Sequence, residues 1–217
     1  MRYLASALIA EGPSDDRFLP PLLTRALEDV CTREFVDSVE VADVRALRSN
    51  NRPHTVPETL ELVVRNADSF TLVLFHRDQG ASLDRVRREW LEPLTQSWGT
   101  RNEQLIPVVP VRETEAWMLA DGDALRKVLG VRWSDETLGV PAQPRLVERI
   151  QDPKKTLKVL GDQVRRPIDN YFERLGNLIS LMTLGLVPAF NDWREEAVHV
   201  LAELGFKRRP GPGRPPV

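Results

Sequence analysis

Short apolar runs alternate with stretches of helical periodicity along the first part of the chain. Residues 3–10, 39–44, 70–75 and 105–111 are apolar or alternating runs of strand length. Helical spacing of apolar residues occurs between and after them, at about residues 18–30, 57–67, 83–98 and 113–120. Strands that alternate with helices are typical of a parallel sheet with helices on its faces. We therefore expect an α/β fold with a mainly parallel, four-stranded sheet. Pro107 and Pro110 favour an edge position for the fourth strand.

The pattern changes after residue 122, where strand-like runs give way to helical ones. Helical spacing occurs at residues 123–129, 144–150, 153–160, 171–186 and 191–204. The chain ends in KRRPGPGRPPV, a basic segment rich in proline and glycine that is typical of disorder. We expect an α/β domain at 1–122, a helical extension packed on it at 123–206, and a disordered basic tail at 207–217.

The composition excludes several classes of protein and several kinds of functional site. The chain has 30 basic and 32 acidic residues, a net charge of −2, so nucleic-acid binding would need a local patch. Cys31 is the single cysteine, which excludes an intrachain disulfide, and its helical apolar setting predicts a core position. The first apolar run is too short to span a membrane and is interpreted as a strand rather than a signal peptide. We therefore expect a cytoplasmic protein. The sequence contains neither a GxxxxGK[ST] phosphate loop nor a GxSxG motif.

Acidic residues follow three of the four predicted strands. Glu11 follows the first strand, Asp78 lies two residues beyond His76 after the third, and Glu113 and Glu115 follow the fourth. The carboxyl ends of parallel strands meet at one edge of a sheet, where ligands bind. Carboxylates that converge there repel one another without a cation, and hard oxygen ligands suit Mg²⁺ or Mn²⁺.

Each of these residues also has a simpler interpretation. An acidic residue after a strand is often a helix cap or a solvated loop residue, and this is the simpler interpretation of Glu113 when it is taken alone. Ser14 is expected to cap the first helix, with Asp15 and Asp16 in its first turn. His76 alone would be read as a hydrogen-bonded structural histidine. The combination of these residues, rather than any one of them, indicates a site.

Several segments resemble the Toprim-like nuclease superfamily. EGPSDDRFL at 11–19 resembles the opening motif of Toprim domains, and LVLFHRDQG at 72–80 resembles the strand that carries their second acidic motif. VPVRETEAWMLAD at 109–121 and DPKKTL at 152–157 are similar to a Toprim-related bacterial family of unknown function. That family is often encoded beside an AAA or ABC-type ATPase in defence loci. The resemblance covers about residues 1–130, and ETEAW is its most specific part.

The resemblance implies a role for each matching residue. Glu11 would be the general acid/base and, together with Asp78, would hold Mg²⁺ or Mn²⁺. Glu113 or Glu115 would supply a further carboxylate to the metal. His76 departs from the family pattern, since Toprim domains usually have an aspartate there. A histidine can ligate Mn²⁺ or act as a base near neutral pH, so His76 is kept as a catalytic candidate.

Two functions follow from this resemblance. The first is a divalent-metal-dependent nuclease or related phosphoryl-transfer enzyme acting on DNA or RNA, the effector of an ATPase-coupled anti-phage defence system. The second is a catalytically degenerate Toprim-like module that binds an ATPase partner or nucleic acid. His76 favours the second, whereas Glu11 and Asp78 favour the first, which we take as the leading hypothesis. The sequence specificity and any homo-oligomer formation are left open.

Basic residues could supply contacts to phosphates. Arg85 and Arg88 lie on the helix that follows the predicted site, and Lys154 and Lys155 lie at the start of a later helix. A solvated helix face is the preferred interpretation of the two arginines, because charge runs often have no specific partner, and the two lysines have a similar ambiguity.

Overall fold

The computed structural model describes residues 1–47, 55–80, 83–99, 101 and 103–210. Part of the predicted disordered tail falls within these ranges. The backbone N–H of Lys207 donates to Asp37 Oδ2 at 2.6 Å, and that of Arg209 donates to the carbonyl of Glu34 at 2.7 Å. The chain therefore stays attached to the fold through Arg209. The prediction for 211–217 lies outside the described residues.

The strands of the described chain lie in two parallel sheets. They are β1 (Arg2–Leu4), β2 (Ser6–Ile9), β3 (Val39–Val41), β4 (Arg45–Ala46), β5 (Leu72–His76) and β6 (Gln104–Val108). β1 pairs with β3, and the other strands form a four-stranded sheet in the order β4-β2-β5-β6. The predicted α/β class and the four-stranded parallel sheet are confirmed. β6 lies at the edge of that sheet, as its prolines indicate.

The predicted first strand is wrong in one respect, because it divides between the two sheets. Residues 2–4 pair with β3, whereas β2 pairs with β4 and β5. The change of partner occurs at Ala5, whose carbonyl accepts backbone N–H groups of Thr71 at 2.9 Å and Leu72 at 3.2 Å. The predicted second strand also divides, into β3 and β4. Each of the two segments therefore contributes one strand to each sheet.

Helices surround the sheets and make up the rest of the described fold. They are α1 (Asp15–Glu34), α2 (Val56–Arg65), α3 (Leu83–Val86), α4 (Glu92–Trp98), α5 (Glu115–Met118), α6 (Gly122–Leu129), α7 (Asp135–Leu138), α8 (Pro153–Gln163), α9 (Phe172–Leu178), α10 (Leu181–Leu184) and α11 (Pro188–Glu203). A π-helical segment, Arg87–Leu91, joins α3 to α4, and 3-10 turns occur at Pro144–Arg149 and Ile168–Tyr171. The helical C-terminal region is confirmed. The sequence pattern misses α7 and the break between α9 and α10.

The central strands β2 and β5 are buried on both faces. Leu8 and Leu74 belong to a large apolar cluster that includes residues of α1, α5, α6, α9 and α11. Ile9 and Val73, one position along each strand, belong to a second cluster with residues of α2 and α4. Alternate side chains thus enter opposite layers, as expected for parallel strands covered on both sides.

The C-terminal helices share the larger cluster with the sheet. Cys31 of α1 is buried in that cluster, which confirms its predicted core position. Gly176 of α9 lies so close to the backbone of Phe18 in α1 that a Cβ atom there would clash. The apolar core is therefore continuous across the predicted boundary at residue 122. The division into two domains stays a prediction.

Candidate functional site

Glu11 and Asp78 lie side by side at the carboxyl edge of the four-stranded sheet. β2 ends at Ile9 and β5 ends at His76, and the two strands are parallel neighbours. The residues that follow them therefore emerge at the same edge. The backbone N–H of Asp78 donates to Glu11 Oε2 at 3.0 Å. The structure thus brings the Glu11 carboxylate against the backbone of Asp78, so that the two residues predicted to form the site are neighbours.

The loop after β6 covers the same edge. The backbone N–H of Gly80 donates to the carbonyl of Arg112 at 2.9 Å, which joins the loop after β5 to the loop after β6. The backbone N–H of Thr114 then donates to Asp78 Oδ1 at 3.0 Å. Asp78 is therefore oriented by the residue that immediately precedes α5.

His76 lies fully buried beneath these carboxylates. Its Nε2 is 2.8 Å from Thr114 Oγ1 and 3.3 Å from Asp78 Oδ1. Its Nδ1 is 3.4 Å from the backbone N of Glu11 and 3.7 Å from Asp15 Oδ2. Burial alone lowers the pKa of the imidazole, but the negative charges of Asp15, Asp78 and Glu11 outweigh it, so the pKa of His76 is raised.

The environment of His76 favours a positioning role. The ring is 0% exposed and both nitrogens face groups of the protein. Direct contact with a substrate is incompatible with this burial. A protonated ring would instead offset the charge of the surrounding carboxylates, and either protonation state would help hold Asp78 in place.

Asp15 is the functional candidate that the sequence analysis misses. The sequence pattern predicts a first-turn helix residue, but the side chain of Asp15 is buried and its Oδ2 accepts the backbone N–H of Gly12 at 2.8 Å. Burial raises the pKa of Asp15, and the nearby Asp78 raises it further, whereas His76 lowers it. The spacing of Asp15 to Phe18, Leu19 and Leu22 is that of one helix face. That pattern could have placed the aspartate on the buried side of α1.

Glu115 and Glu113 have different surroundings, although both follow β6. Glu115 is 3% exposed, and burial, with the nearby charges of Asp15 and Asp78, raises its pKa to about 7. Glu113 Oε2 instead accepts the backbone N–H of Lys154, at the start of α8, at 3.3 Å. Glu115 thus belongs to the acidic cluster, which we define as Glu11, Asp15, Asp78 and Glu115. Glu113 stabilises the beginning of a helix.

The acidic cluster offers carboxylate oxygens but no complete set of protein ligands for a metal ion. In the part of the chain that the structure describes, no three His, Cys, Asp or Glu side chains form a ready ligand set. Mg²⁺, however, is usually bound by one or two carboxylates together with waters and substrate phosphates. The cluster supplies hard oxygen donors, and burial is the main cause that raises the pKa values of Asp15 and Glu115.

The basic candidates divide into two groups. Arg85 and Arg88 are exposed on α3 and the π-helical segment, and Arg85 Nε lies 3.9 Å from Glu89 Oε2. Lys154 and Lys155 are exposed in the first turn of α8. The charge of Lys154 lowers the pKa of Glu115, so this lysine lies near the acidic cluster.

Comparison with known proteins identifies the family. A family model described as a domain of unknown function, DUF4276, matches residues 10–196. The chain therefore belongs to the DUF4276 family. No curated protein and no solved structure matches it. None of the helices in the described residues is long and apolar enough to cross a membrane.

Proposed function

We propose that this DUF4276 protein has a Toprim-like domain and is a divalent-metal-dependent nuclease or related phosphoryl-transfer enzyme that acts on nucleic acid in the cytoplasm. The observation that carries the proposal is the hydrogen bond from the backbone N–H of Asp78 to Glu11 Oε2, at 3.0 Å, which joins two neighbouring strand ends. Asp15 and Glu115 supply two further carboxylates beside this pair. Such convergence of like charges is unfavourable for folding alone, so a function is its simplest explanation.

In this proposal Glu11 and Asp78 would hold Mg²⁺ or Mn²⁺, with Glu115 close by. A bound divalent ion polarises a phosphodiester and lowers the pKa of a water nucleophile. Glu11 is exposed and can reach a substrate, so it is the residue proposed to transfer a proton. The Thr114 N–H orients Asp78, and the buried ring of His76 helps to keep Asp78 in position.

The alternative function is a degenerate Toprim-like module that binds an ATPase partner or nucleic acid without cleaving it. Two observations favour this alternative. His76 occupies a position where the resemblance calls for an aspartate, and it is too buried to act as a ligand in the present arrangement. The described side chains also form no ready set of three metal ligands. An AAA or ABC-type ATPase partner in a defence system is proposed from the sequence resemblance alone.

A cleavage assay with a matched pair of variants tests the enzymatic proposal. Glu11→Gln keeps the shape of the side chain but removes its charge and proton-transfer capacity. Loss of a general acid/base typically slows a reaction by about 100- to 10,000-fold. Labelled DNA and RNA, single- and double-stranded, would be incubated with each protein in Mg²⁺ and in Mn²⁺. Glu40→Gln, on an exposed position of β3, is the control and should cleave like the wild type.

The assay separates the two functions. Metal-dependent cleavage by the wild type that is lost in Glu11→Gln supports the enzyme. Equal cleavage by the wild type and Glu11→Gln would show that the activity has another origin. Nucleic-acid binding without cleavage, with and without an ATPase encoded nearby, would support the degenerate module.

A further inference from the structure

A pocket of about 590 Å³ adjoins the acidic cluster on the side of the C-terminal helices. It lies between α8 and the 3-10 turn that leads into α9. Glu115 forms part of its wall, so the pocket and the acidic cluster share this residue. Its volume falls in the range of sites that bind small molecules and cofactors, roughly 300–1,000 Å³.

The pocket combines an apolar floor with a cationic rim. Leu157, Ile168 and Phe172 supply apolar surface. The basic side chains of the lining are Lys154, Lys158, Arg165 and Arg166. None of the ion pairs formed among the described residues includes any of these four side chains. Asp162 and Asp169 also line the pocket, and the balance of formal charge remains positive even when Glu115 is ionised.

Arg165 occupies an unusual backbone position at this rim. Its φ is 55°, in the left-handed region, at the residue after Val164, which is the C-cap of α8. That position after a helix is usually filled by glycine, because a side chain there is strained. An arginine at this place is therefore disfavoured by the backbone, which is consistent with a role for its side chain.

We infer that this pocket binds a nucleoside phosphate, either free or as the terminal nucleotide of a strand. The base would lie on the apolar floor formed by Leu157, Ile168 and Phe172. The phosphate would be held by the rim, where Arg165 can form paired hydrogen bonds with phosphate oxygens. The strand-terminal form rests on the proposed nuclease function, because Glu115 would place the strand end beside the acidic cluster. Binding of the free nucleotide does not depend on that function.

Calorimetric titration with adenosine 5′-monophosphate tests the pocket separately from catalysis. The titration would be done without divalent metal, so that the acidic cluster does not contribute a bound cation. The test variant is Lys158→Ala combined with Arg165→Gly. Both side chains are exposed, and glycine relieves the left-handed backbone at residue 165, so the variant should fold. Lys127→Ala is the matched control, because Lys127 is exposed on α6 and does not line the pocket.

We expect the wild type to bind the nucleotide saturably at millimolar concentration or below. The double variant should bind at least about tenfold more weakly, because it loses two charge-assisted contacts. Lys127→Ala should bind within about twofold of the wild type. Absence of saturable binding by the wild type, or equal binding by the double variant, would overturn the inference.

A pair of short oligonucleotides, with and without a 5′-phosphate, identifies the source of the nucleotide. Tighter binding of the phosphorylated strand, with loss in the double variant, indicates a strand end. Binding of adenosine monophosphate alone indicates a free nucleotide.

Failure of the pocket proposal can be distinguished from failure of the nuclease proposal. If cleavage depends on Glu11 but neither ligand binding nor cleavage changes in the double variant, the pocket assignment is wrong and the nuclease stands. If nucleotide binding is lost in the double variant but no cleavage depends on Glu11, the nuclease proposal is wrong and the pocket stands.

Discussion

Replacing Glu115 by glutamine should stabilise the protein at neutral and alkaline pH. Burial and the charges of Asp15 and Asp78 raise the pKa of the Glu115 carboxyl from an ordinary 4.5 to about 7. A change of one in pKa corresponds to about 1.4 kcal/mol between the two protonation states. The ionised carboxylate therefore destabilises the native state by about 3 kcal/mol once the pH is well above 7. Glutamine is of similar size and has no charge to bury, so it should remove this penalty.

The direction of the pH dependence follows from the raised pKa. Between about pH 4.5 and pH 7 the native carboxyl holds a proton that the unfolded chain has lost. The favourable contribution of Glu115 is thus fully present below about pH 4.5 and is lost as the pH rises through about 7. The pKa values of Asp15 and His76 are raised as well, so their contributions have the same sign.

Urea unfolding between about pH 5 and pH 8, with a chelator present, would measure this effect. We expect the stability gained by Glu115→Gln to be small near pH 5 and to approach about 3 kcal/mol near pH 8. Glu113→Gln is the control of opposite sign, because Glu113 accepts the Lys154 N–H at the start of α8. It should lower stability by about 0.5–1 kcal/mol. A gain that does not vary with pH, or a loss of stability in Glu115→Gln near pH 8, would refute the reasoning.

Two further substitutions test the buried centre of the site and the packing of the C-terminal helices. His76→Asp should lower the free energy of unfolding by roughly 3 kcal/mol or more, because it places another carboxylate beside Asp15 and Asp78 and removes their counter-charge. Urea unfolding near pH 7 measures this loss, and an unchanged midpoint would show that the ring is not needed for charge balance. Gly176→Ala should destabilise the fold by about 1–3 kcal/mol, because the added methyl group meets the backbone of Phe18. Thermal unfolding measures this loss, and a melting temperature equal to that of the wild type would show that α1 and α9 separate easily.

Local sequence patterns predict most of the sheet but not how one segment is shared between sheets. The apolar run that contains β5 is buried throughout, and the prolines near β6 correctly indicate an edge. The division at Ala5 depends on which strands lie beside it. Its carbonyl is satisfied by Thr71 and Leu72, far away in the chain, and no local pattern contains that information.

Prediction of the site from local sequence patterns has the same limit. Glu11 and Asp78 can be placed together because both follow parallel strands. The choice between Glu113 and Glu115 cannot be made from the sequence, because it depends on the position of α8, whose first turn binds Glu113. The burial of His76 likewise depends on Thr114 and on the start of α1, which cover it. The burial of Asp15 could have been predicted from the sequence, since this residue lies on the apolar face of α1.

Calorimetric titration with Mn²⁺ tests most directly whether the acidic cluster is a cation site. The wild type, Asp78→Asn and the control Asp192→Asn, at an exposed position of α11, would be titrated at about pH 7.5, where Glu115 is largely ionised. We expect saturable binding to the wild type and the control at millimolar concentration or below, and loss of that binding in Asp78→Asn. Absence of saturable binding to the wild type, or equal binding to Asp78→Asn, would contradict a metal site built on Glu11 and Asp78.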